Sequence, residues 1–266
     1  MRSKSVSLLA VTFSLGFAQA ASAADMPVKA PAPIAHLYNW AGFYVGVNAG
    51  YAWGHTDVNY IPPGAPNGFI PVDVIIYGAG ASQQLTDRGF TGGVQAGYNY
   101  LFNRVLAGIE ADFGYLNRSG NFTGTFVGVW GTQNVNISDK SGWLTSVRGR
   151  LGMTFDQILV YGTGGVAFTN AGVNIGNNWN PAIGLRDASA SVSNTRAGWV
   201  VGGGLEYGIQ PNWSIKAEYL RMKFTNDGTT VTTLGMSNAA ANVSHQYNVD
   251  MTVNIARIGL NYRFGG

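Results

Sequence analysis

Residues 40–55 read WAGFYVGVNAGYAWGH, a stretch in which large apolar side chains alternate with small or polar ones. The large residues occupy odd positions: Phe43, Val45, Val47, Tyr51 and Trp53. The even positions are mostly glycine and asparagine, with Tyr44 as the exception. A period of two residues is typical of a β-strand whose two faces meet different surroundings. The stretch therefore predicts a strand with one large apolar face and one narrow, mostly polar face.

Seven further segments of the chain have the same period. They span residues 90–102, 104–115, 143–155, 158–169 and 198–209, a segment that starts at Trp213 and one that ends at Phe264. In the segment 158–169 apolar residues occur in both phases, so its two faces stay unassigned. In the last segment the phase changes between Val253 and Ile258, which predicts a β-bulge near residues 254–257.

The connections between these segments alternate in length. Short turns are predicted at Asn103, at 156–157 and at 210–212, and long polar loops at 56–89, 116–142, 170–197 and 226–246. An even number of strands, with short turns at one end and long loops at the other, is typical of bacterial outer-membrane barrels. The predicted fold class is therefore all-β: an eight-stranded antiparallel up-and-down transmembrane β-barrel with four long extracellular loops and short periplasmic turns.

The composition excludes several other classes of protein. Only 11% of the 266 residues are charged, against roughly 25% in soluble domains, and the 38 glycines follow no collagen period. Aromatic residues make up 12% of the chain, which is too many for a disordered protein. Beyond the N-terminus no apolar run approaches the roughly 20 residues of a membrane helix. The chain has no cysteine, which excludes disulfide bonds and thiol chemistry.

The N-terminus has the features of a secretory signal peptide. Arg2 and Lys4 precede an apolar run, and Ala21-Ser22-Ala23 matches a small-residue cleavage site. We expect a signal peptide over 1–23, a proline-rich periplasmic linker over 24–38 and the barrel over 39–266, with the mature chain in the outer membrane of a Gram-negative cell. Loss of Arg2 and Lys4 lowers the net charge from +3 to +1, so the charge gives no argument for a nucleic-acid partner.

The face opposite the large apolar residues carries few charges. Nine ionisable residues fall on it: Glu110, Asp112, Arg148, Arg150, Glu206, Lys216, Glu218, Arg257 and Arg263. Four acids against five bases are nearly neutral, as expected of charges that pair inside a barrel, because an unpaired buried charge is costly. We interpret the nine as a structural charge network in the lumen, with the apolar face toward lipid. A soluble barrel with its apolar face inward is the alternative.

Aromatic residues gather near the ends of the apolar face. They are Trp40, Phe43, Tyr51, Trp53, Tyr98, Tyr100, Phe102, Trp143, Phe155, Trp199 and Trp213. Transmembrane barrels have such aromatic girdles at both membrane interfaces. The placement therefore favours the lipid-facing interpretation over the soluble barrel.

No arrangement of residues predicts catalysis or a cofactor. Glu110 and Asp112 share one strand face and could form a catalytic carboxylate pair, but Arg148 and Arg150 on the next strand favour an internal ion-pair cluster. Three histidines lack metal-ligand spacing: His36, His55 and His245. Five acids are interpreted as solvated loop residues, with surface cation binding as the alternative: Asp73, Asp87, Asp139, Asp187 and Asp227. The sequence thus predicts a non-enzymatic protein with no catalytic, cofactor or metal site.

Four stretches carry a resemblance to a known family. They are YNWAGFYVGVNAGYAWG at 38–54, ADMPVKAP at 24–31, GTGGVA at 162–167 and RIGLNYRF at 257–264. Together they resemble the small alphaproteobacterial outer-membrane β-barrel proteins, known as porin-family or outer membrane immunogenic proteins, related in fold to the barrel domain of outer-membrane protein A. The resemblance covers essentially the whole mature chain. It implies membrane insertion, surface-exposed loops, a mostly structural role and no catalytic residues.

The C-terminus bears on insertion. Chains of this kind usually end on an aromatic residue, and Tyr262 and Phe264 are interpreted as the C-terminal insertion signal, although Gly265 and Gly266 follow. The expected partners are outer-membrane lipids and lipopolysaccharide, the outer-membrane assembly machinery during insertion, and host or surface ligands of the loops.

Two alternatives to a purely structural role stay open. One is a narrow porin-like channel for small solutes, which would require the charge network to open. The other is a loop-mediated adhesin or host-recognition protein, suggested by large apolar residues in otherwise polar loops: Phe69, Trp130 and Trp179.

Overall fold

A computed structural model describes residues 38–61, 83–128, 131–179, 188–192, 195–225, 230–234 and 243–264 of the chain. The predicted signal peptide and nearly all of the predicted linker lie outside these residues. Within the part described, no helix is long and apolar enough to cross a membrane.

All regular structure in these residues is β-strand. The strands are β1 (Gly42–Ile61), β2 (Gln83–Phe102), β3 (Val105–Ser119), β4 (Asn121–Gly128), β5 (Gly131–Lys140), β6 (Gly142–Phe155), β7 (Ile158–Thr169), β8 (Gly172–Trp179), β9 (Ala188–Val192), β10 (Arg196–Gln210), β11 (Trp213–Phe224), β12 (Thr230–Leu234) and β13 (Val243–Arg263). Glycine, aromatic and β-branched residues at a period of two produce long strands because each pleated face then packs against a different medium.

Eight strands form a closed antiparallel wall in the order β1-β2-β3-β6-β7-β10-β11-β13. β1 and β13 close it, paired in continuous register from Tyr44 opposite Arg263 to Ile61 opposite Gln246. The predicted eight-stranded antiparallel barrel is confirmed. The short β12 pairs with β13 beyond the wall, with Thr230 opposite Tyr247.

Short turns lie at one end of the barrel, which we call the turn end; the opposite end is the loop end. Two-residue turns at 103–104 and 156–157 join β2 to β3 and β6 to β7. Asn103 and Asp156 have positive φ angles of 55° and 53°. Asparagine and aspartate tolerate this left-handed conformation better than other non-glycine residues, so the turn sequences fit the tight hairpins.

Three of the connections predicted as polar loops contain further strands: β4 and β5 lie in 116–142, β8 and β9 in 170–197, and β12 in 226–246. β4, β5, β8 and β9 form a second sheet in that order, which we call the loop sheet. The sequence predicts long polar connections at 116–142 and 170–197, and the structure adds that they contain β-strands. The barrel strands also extend past the predicted segments. The reason is visible in β5, where Val135 and Ile137 alternate with polar residues and are both buried.

The two faces of the wall are sharply different. Apolar residues on the outer face are exposed, as in Phe90 at 70% and Phe102 at 74%, whereas the alternate residues are buried. β7, whose faces the sequence leaves unassigned, places Leu159, Tyr161 and Thr163 inside and Ile158 outside. The outer surface of the wall is thus apolar throughout its middle.

Two expectations about side-chain direction are wrong. The pairing of β13 with β1 and β11 has no register shift near 254–257; the shift between β10 and β11 lies at Gly208–Gln210. Val253 and Ile255 point inward because the interior itself changes from polar to apolar toward the loop end. Trp40, predicted in a girdle, is 1% exposed because it precedes β1 and turns beneath the barrel.

Three apolar clusters are stacked along the interior. The turn-end cluster consists of Tyr38, Trp40, Leu106, Leu159 and Tyr161. The apolar layer, in the half nearer the loops, consists of Ala52, Leu116, Leu144, Ala167, Val200, Leu220, Met222, Phe224, Met251, Val253 and Ile255. The rim cluster joins the barrel to the loop sheet through Val58, Leu85, Val135, Ile137, Val173 and Val249. The charged residues lie between the first two.

Candidate functional site: the filled lumen

The nine ionisable residues singled out in the sequence all lie inside the barrel. We call them the lumen network, and each is at most 7% exposed. Five of the eight wall strands supply them, namely β3, β6, β10, β11 and β13, and Tyr44 on β1 hydrogen-bonds to Glu110. The alternation of the strands brings these side chains together because every second residue of each strand points to the same axis.

Glu110 lies at the centre of the lumen network. Its carboxylate accepts hydrogen bonds from Tyr44 Oη at 2.7 Å and from Lys216 Nζ at 3.0 Å. It also contacts Arg148 Nη2 and lies 3.4 Å from Arg150 Nη1. Four donors around one carboxylate satisfy its lone pairs, which is what a buried ion requires to be tolerated.

Two arginines cross-link the remaining acids of the network. Arg148 donates from Nη2 to Asp112 at 2.8 Å and from Nη1 to Glu218 at 3.1 Å. Arg257 donates from Nε to Glu218 at 2.7 Å and from Nη2 to Asp112 at 3.3 Å. Because the planar guanidinium has several fixed donors, each of these arginines binds at least two carboxylates at once.

Glu206 is the main hydrogen-bond acceptor in the part of the lumen network nearer the turn end. It accepts hydrogen bonds from Arg150 Nη2 at 2.8 Å, Ser214 Oγ at 2.5 Å and Asn261 Nδ2 at 2.9 Å. Arg263 Nη2 is farther away, at 3.8 Å. The fifth base of the network is therefore only loosely paired with an acid.

The two carboxylates considered as a catalytic pair are both bound by one arginine. Arg148 Nη2 contacts Glu110 and Asp112 together, and Ser146 Oγ donates to Asp112 at 2.8 Å. Glu110 is completely buried. The structure therefore places this pair in a packed, buried ion cluster.

Two tyrosines of the network are absent from the prediction. Tyr44 joins Glu110 to Arg150, whose Nη1 lies 2.5 Å from the tyrosine oxygen. Tyr161 donates to Glu218 at 2.9 Å, and the Arg150 guanidinium lies 4.0 Å from its ring centre. Tyr44 has a signal in the sequence, because it is the one large residue on the narrow face of residues 42–55. Tyr161 lies on β7, whose faces the sequence leaves unassigned.

The turn end of the lumen is closed by the residues before β1. Trp40 Nε1 donates to the carbonyl of Asp156 at 3.1 Å, and Asn99 Nδ2 donates to the carbonyl of Trp40 at 3.3 Å. Arg263 Nη1 also donates to that carbonyl. The rings of Tyr38 and Trp40 are 4.5 Å apart, and the guanidinium of Arg263 lies over both. Aromatic faces thus compensate a cation with little carboxylate contact.

A second ion cluster lies at the loop end. Arg118 Nε donates to Asp87 at 3.0 Å, Thr56 Oγ1 donates to the same carboxylate at 3.2 Å, and Asp139 lies 3.7 Å from Arg118 Nη2. Burial raises the pKa of the Asp139 carboxyl above its ordinary value, and Arg118 opposes this effect. The interpretation of Asp87 and Asp139 as solvated is wrong, because β2, β3 and β5 continue past the predicted strand ends. Asp73, Asp187 and Asp227 lie outside the described residues.

The other candidate residues are dispersed. His55 lies 3.7 Å from Asp57 near the loop end; His36 and the side chain of His245 are outside the description. Within the residues described, no three His, Cys, Asp or Glu side chains are grouped to hold a metal.

Tyr262 and Phe264 lie at the turn end, where their rings are 5.1 Å apart and Phe264 N donates to Phe43 O at 2.9 Å. Among the girdle residues, Phe43, Tyr51, Trp53 and Trp199 are exposed.

A closed eight-stranded wall with an apolar outside and an ion-paired inside defines an outer-membrane β-barrel protein. The comparisons with known proteins agree. The chain belongs to the outer membrane protein beta-barrel domain family, whose model matches residues 8–264. It is an outer-membrane protein, as the names of its relatives indicate.

The relatives and solved structures support the same assignment. The 31 kDa outer-membrane immunogenic protein of Brucella melitensis is 34% identical over 97% of this chain and 99% of its own. The 22 kDa outer membrane protein of Rhizobium leguminosarum is 33% identical over 49% of this chain and 51% of its own. The outer membrane protease OmpT of Escherichia coli, at 10% identity and a TM-score of 0.50, covers 84% of this chain and 96% of its own; at that identity the likeness concerns the fold alone.

Proposed function

We propose that this chain is a non-enzymatic structural protein of the outer membrane whose barrel conducts no solute. The observation that carries the proposal is the filled lumen: the turn-end cluster, the lumen network and the apolar layer follow one another along its axis. An eight-stranded barrel has an interior just wide enough for side chains. An ion that crossed it would have to displace all three layers.

Conductance in planar lipid bilayers tests this proposal. We expect no current steps from the purified wild-type chain under conditions in which a general porin, used as a positive control, conducts. Steady current steps from the wild type would contradict the proposal and favour the narrow channel. Conductance from Glu110→Ala alone would support it, because that change opens the lumen network and leaves the wall intact.

The orientation belongs to the same proposal. Outer-membrane barrels place short turns in the periplasm and long loops outside the cell. We therefore expect the loop sheet at the external surface and the turn-end cluster in the periplasm. A protease added to intact cells should cleave loop residues and spare the turns at 103–104 and 156–157.

A second candidate function is supported by the loop sheet. Val135, Ile137 and Val173 bury their side chains against Val58 and Val249 of the barrel. Contacts of this kind fix a surface in place, so the loops could act as a contact surface for host or surface ligands at low cost in conformational entropy.

Deletion of residues 121–138 tests this second function. The change removes β4 and most of β5 and leaves the eight wall strands complete. We expect reduced attachment of cells to surfaces with an unchanged amount of folded barrel, measured by heat-modifiable gel migration. Unchanged attachment at equal surface abundance would count against it.

Insertion by the outer-membrane assembly machinery is also part of the proposal. Tyr262 lies on the closing strand β13, where it contacts Trp213 with ring centres 5.1 Å apart, and Phe264 directly follows that strand. We infer that they form the terminal insertion signal. Phe264→Ala should lower the folded fraction in cells while refolding in detergent stays normal; equal loss in both would indicate a packing role instead.

A further inference from the structure

The outer face of the wall carries three cations close to the loop end. Arg88 on β2 and Arg221 and Lys223 on β11 are exposed. Among the residues that the structure describes, the side chains of these three cations make no hydrogen bond or ion pair. Their neighbours toward the turn end on the same face are aromatic, alanine or glycine, so the cations begin where the apolar surface ends.

The strand register places two of these cations in one row. Arg88 lies opposite Trp53, Trp53 opposite Asn254, and Asn254 opposite Arg221. Adjacent strands are about 4.8 Å apart, so three steps separate the two arginine backbones by about 14 Å. Lys223 lies two residues beyond Arg221 on β11, on the same face and nearer the loop end.

An ordered platform fills the space between the cations. The rings of Tyr51 and Trp53 are stacked with centres 6.2 Å apart, and Trp53 lies 6.1 Å from Tyr219. Tyr219 Oη donates to Asn254 Oδ1 at 2.7 Å, and Asn254 Nδ2 donates to Trp53 O at 3.4 Å. Tyrosine and tryptophan side chains of this kind occupy the headgroup level of a membrane.

Below this platform the wall has a groove. It has a volume of about 760 Å³, and its small outward residues, Ala49, Gly203, Ala217 and Ala256, are bounded by the larger Phe90, Leu205, Tyr219 and Ile258. Gly203 and its alanine neighbours leave the wall recessed between larger side chains. A cationic row next to a recessed apolar surface matches the two halves of one amphiphile, with phosphate at the row and acyl chain in the groove.

We propose that this surface binds a phosphorylated membrane lipid, with Arg88, Arg221 and Lys223 on its phosphate groups and the recessed groove around its acyl chains. We call it the lipid site. It rests on the proposed outer-membrane orientation, which puts the loop end at the external leaflet. Charge complementarity selects the ligand, because phosphate pairs strongly with guanidinium groups and a neutral headgroup does not.

Lipid binding to the full chain in detergent micelles tests the proposal. The probes are a bisphosphorylated lipid A, the same lipid with both phosphates removed, and inorganic phosphate, measured by native mass spectrometry or equilibrium titration. We expect the phosphorylated lipid to bind the wild type at least tenfold more tightly than the dephosphorylated lipid. The triple variant Arg88→Gln, Arg221→Gln and Lys223→Gln should remove that preference.

A matched variant controls for charge alone. Arg104→Gln removes an exposed cation at the turn end and should leave binding unchanged. Heat-modifiable migration shows whether each variant is folded. Equal affinity of wild type and triple variant would overturn the lipid site. Equal affinity for inorganic phosphate and for the phosphorylated lipid would also overturn it, since the groove would then contribute nothing.

The groove has its own variant. Ala217→Trp places a bulky side chain among the recessed residues while all three cations remain, and it should weaken binding of the phosphorylated lipid several-fold. Unchanged affinity would overturn the acyl-chain part of the proposal. These outcomes are independent of conductance: current from the wild type contradicts the closed-barrel function, whereas the lipid and phosphate affinities of the wild type and its variants decide the lipid site.

Discussion

Glu110 shows how much of the lumen depends on single residues. It receives hydrogen bonds or ion pairs from Tyr44, Arg148, Arg150 and Lys216, all of them buried. Its removal would leave several cations without their shared anion. The free-energy cost exceeds the lost attraction between Glu110 and these cations, because a buried charge without a partner keeps its full desolvation cost.

We expect Glu110→Gln to lower the free energy of unfolding by about 3–5 kcal/mol. The glutamine keeps the shape but supplies no negative charge to Arg148 and Lys216. Urea unfolding in detergent or lipid vesicles, followed by heat-modifiable migration, measures the change. Asp57→Asn is the matched control, since Asp57 is a partly exposed acid near the loop end and should change stability by less than about 1 kcal/mol. Equal effects would contradict the central role of Glu110.

Glycines 164 and 165 are neighbours with opposite surroundings. A Cβ on Gly165 would lie 2.1 Å from the carbonyl oxygen of Val147 and 2.7 Å from Cα of Arg148, on the inner side of the wall. A Cβ on Gly164 would lie 3.7 Å from the carbonyl oxygen of Val200, at an exposed position. Only the inner glycine is required by the close approach of another strand.

Gly165→Ala should therefore destabilise the barrel by about 1–3 kcal/mol, because the strands must separate to admit the methyl group. Gly164→Ala should leave the free energy of unfolding within about 1 kcal/mol of the wild type. Both are measured by the same urea titration. A similar loss in the two variants would show that glycine acts here through backbone freedom and not through space.

At the scale of single residues, the sequence predicts which charged side chains lie in the lumen but does not predict which tyrosine hydroxyls join them. The nine charged residues could be found because alternation assigns them to the face opposite the large apolar residues. Tyr44 and Tyr161 could not, because a tyrosine suits lipid interfaces and buried hydrogen bonds equally well. Asp87 and Asp139 were misassigned because the length of the strands beyond the membrane leaves no mark in composition.

Each strand is read correctly where both of its faces are constant along its length. β7 and β13 are the exceptions, and in β13 the inner face passes from Arg257 and Arg263 to Val253 and Met251. In the sequence, a change from polar to apolar residues along one face of a strand resembles a switch of those residues to the other face. The bulge predicted near 254–257 rests on this confusion. The structure resolves it, because the interior of the barrel itself changes from a charged layer to an apolar layer along β13.

The hairpin at 103–104 permits a prediction about an element. Asn103 has φ 55°, a region in which a β-branched residue is strained. Asn103→Val should cost about 1–2 kcal/mol, while Asn103→Gly should be nearly neutral. Refolding yield and urea midpoint measure both. If valine and glycine behave alike, the turn conformation does not limit the stability of the β2–β3 hairpin.

At the scale of the whole molecule, the ion pairs of the lumen network lie where salt in the solvent cannot reach them. The charged groups of the lumen network are enclosed between the turn-end cluster and the apolar layer. Mobile ions screen exposed charges within about 3 Å at 1 M salt, but buried pairs much less. The closed barrel and the order of its strands could be predicted from strand periodicity and loop lengths. The enclosure of the lumen network could not, since it depends on which interior residues of different strands lie at the same level.

We therefore expect the free energy of unfolding to change by less than about 1 kcal/mol between 0.05 M and 1 M sodium chloride. Binding at the lipid site, formed by the exposed Arg88, Arg221 and Lys223, should weaken over the same range. A large fall in barrel stability with salt would mean that solvent ions enter the lumen.

The buried position of Trp40 makes its fluorescence a measure of when the barrel closes during folding. Its surroundings come from β2, the 156–157 turn and β13, segments that meet only when the first and last strands join. Trp53, Trp199 and Trp213 instead lie on the outer surface. Brominated lipids should quench those three as soon as strands enter the bilayer and leave Trp40 bright. The emission of a chain that keeps only Trp40 would then report the moment of closure, separately from insertion.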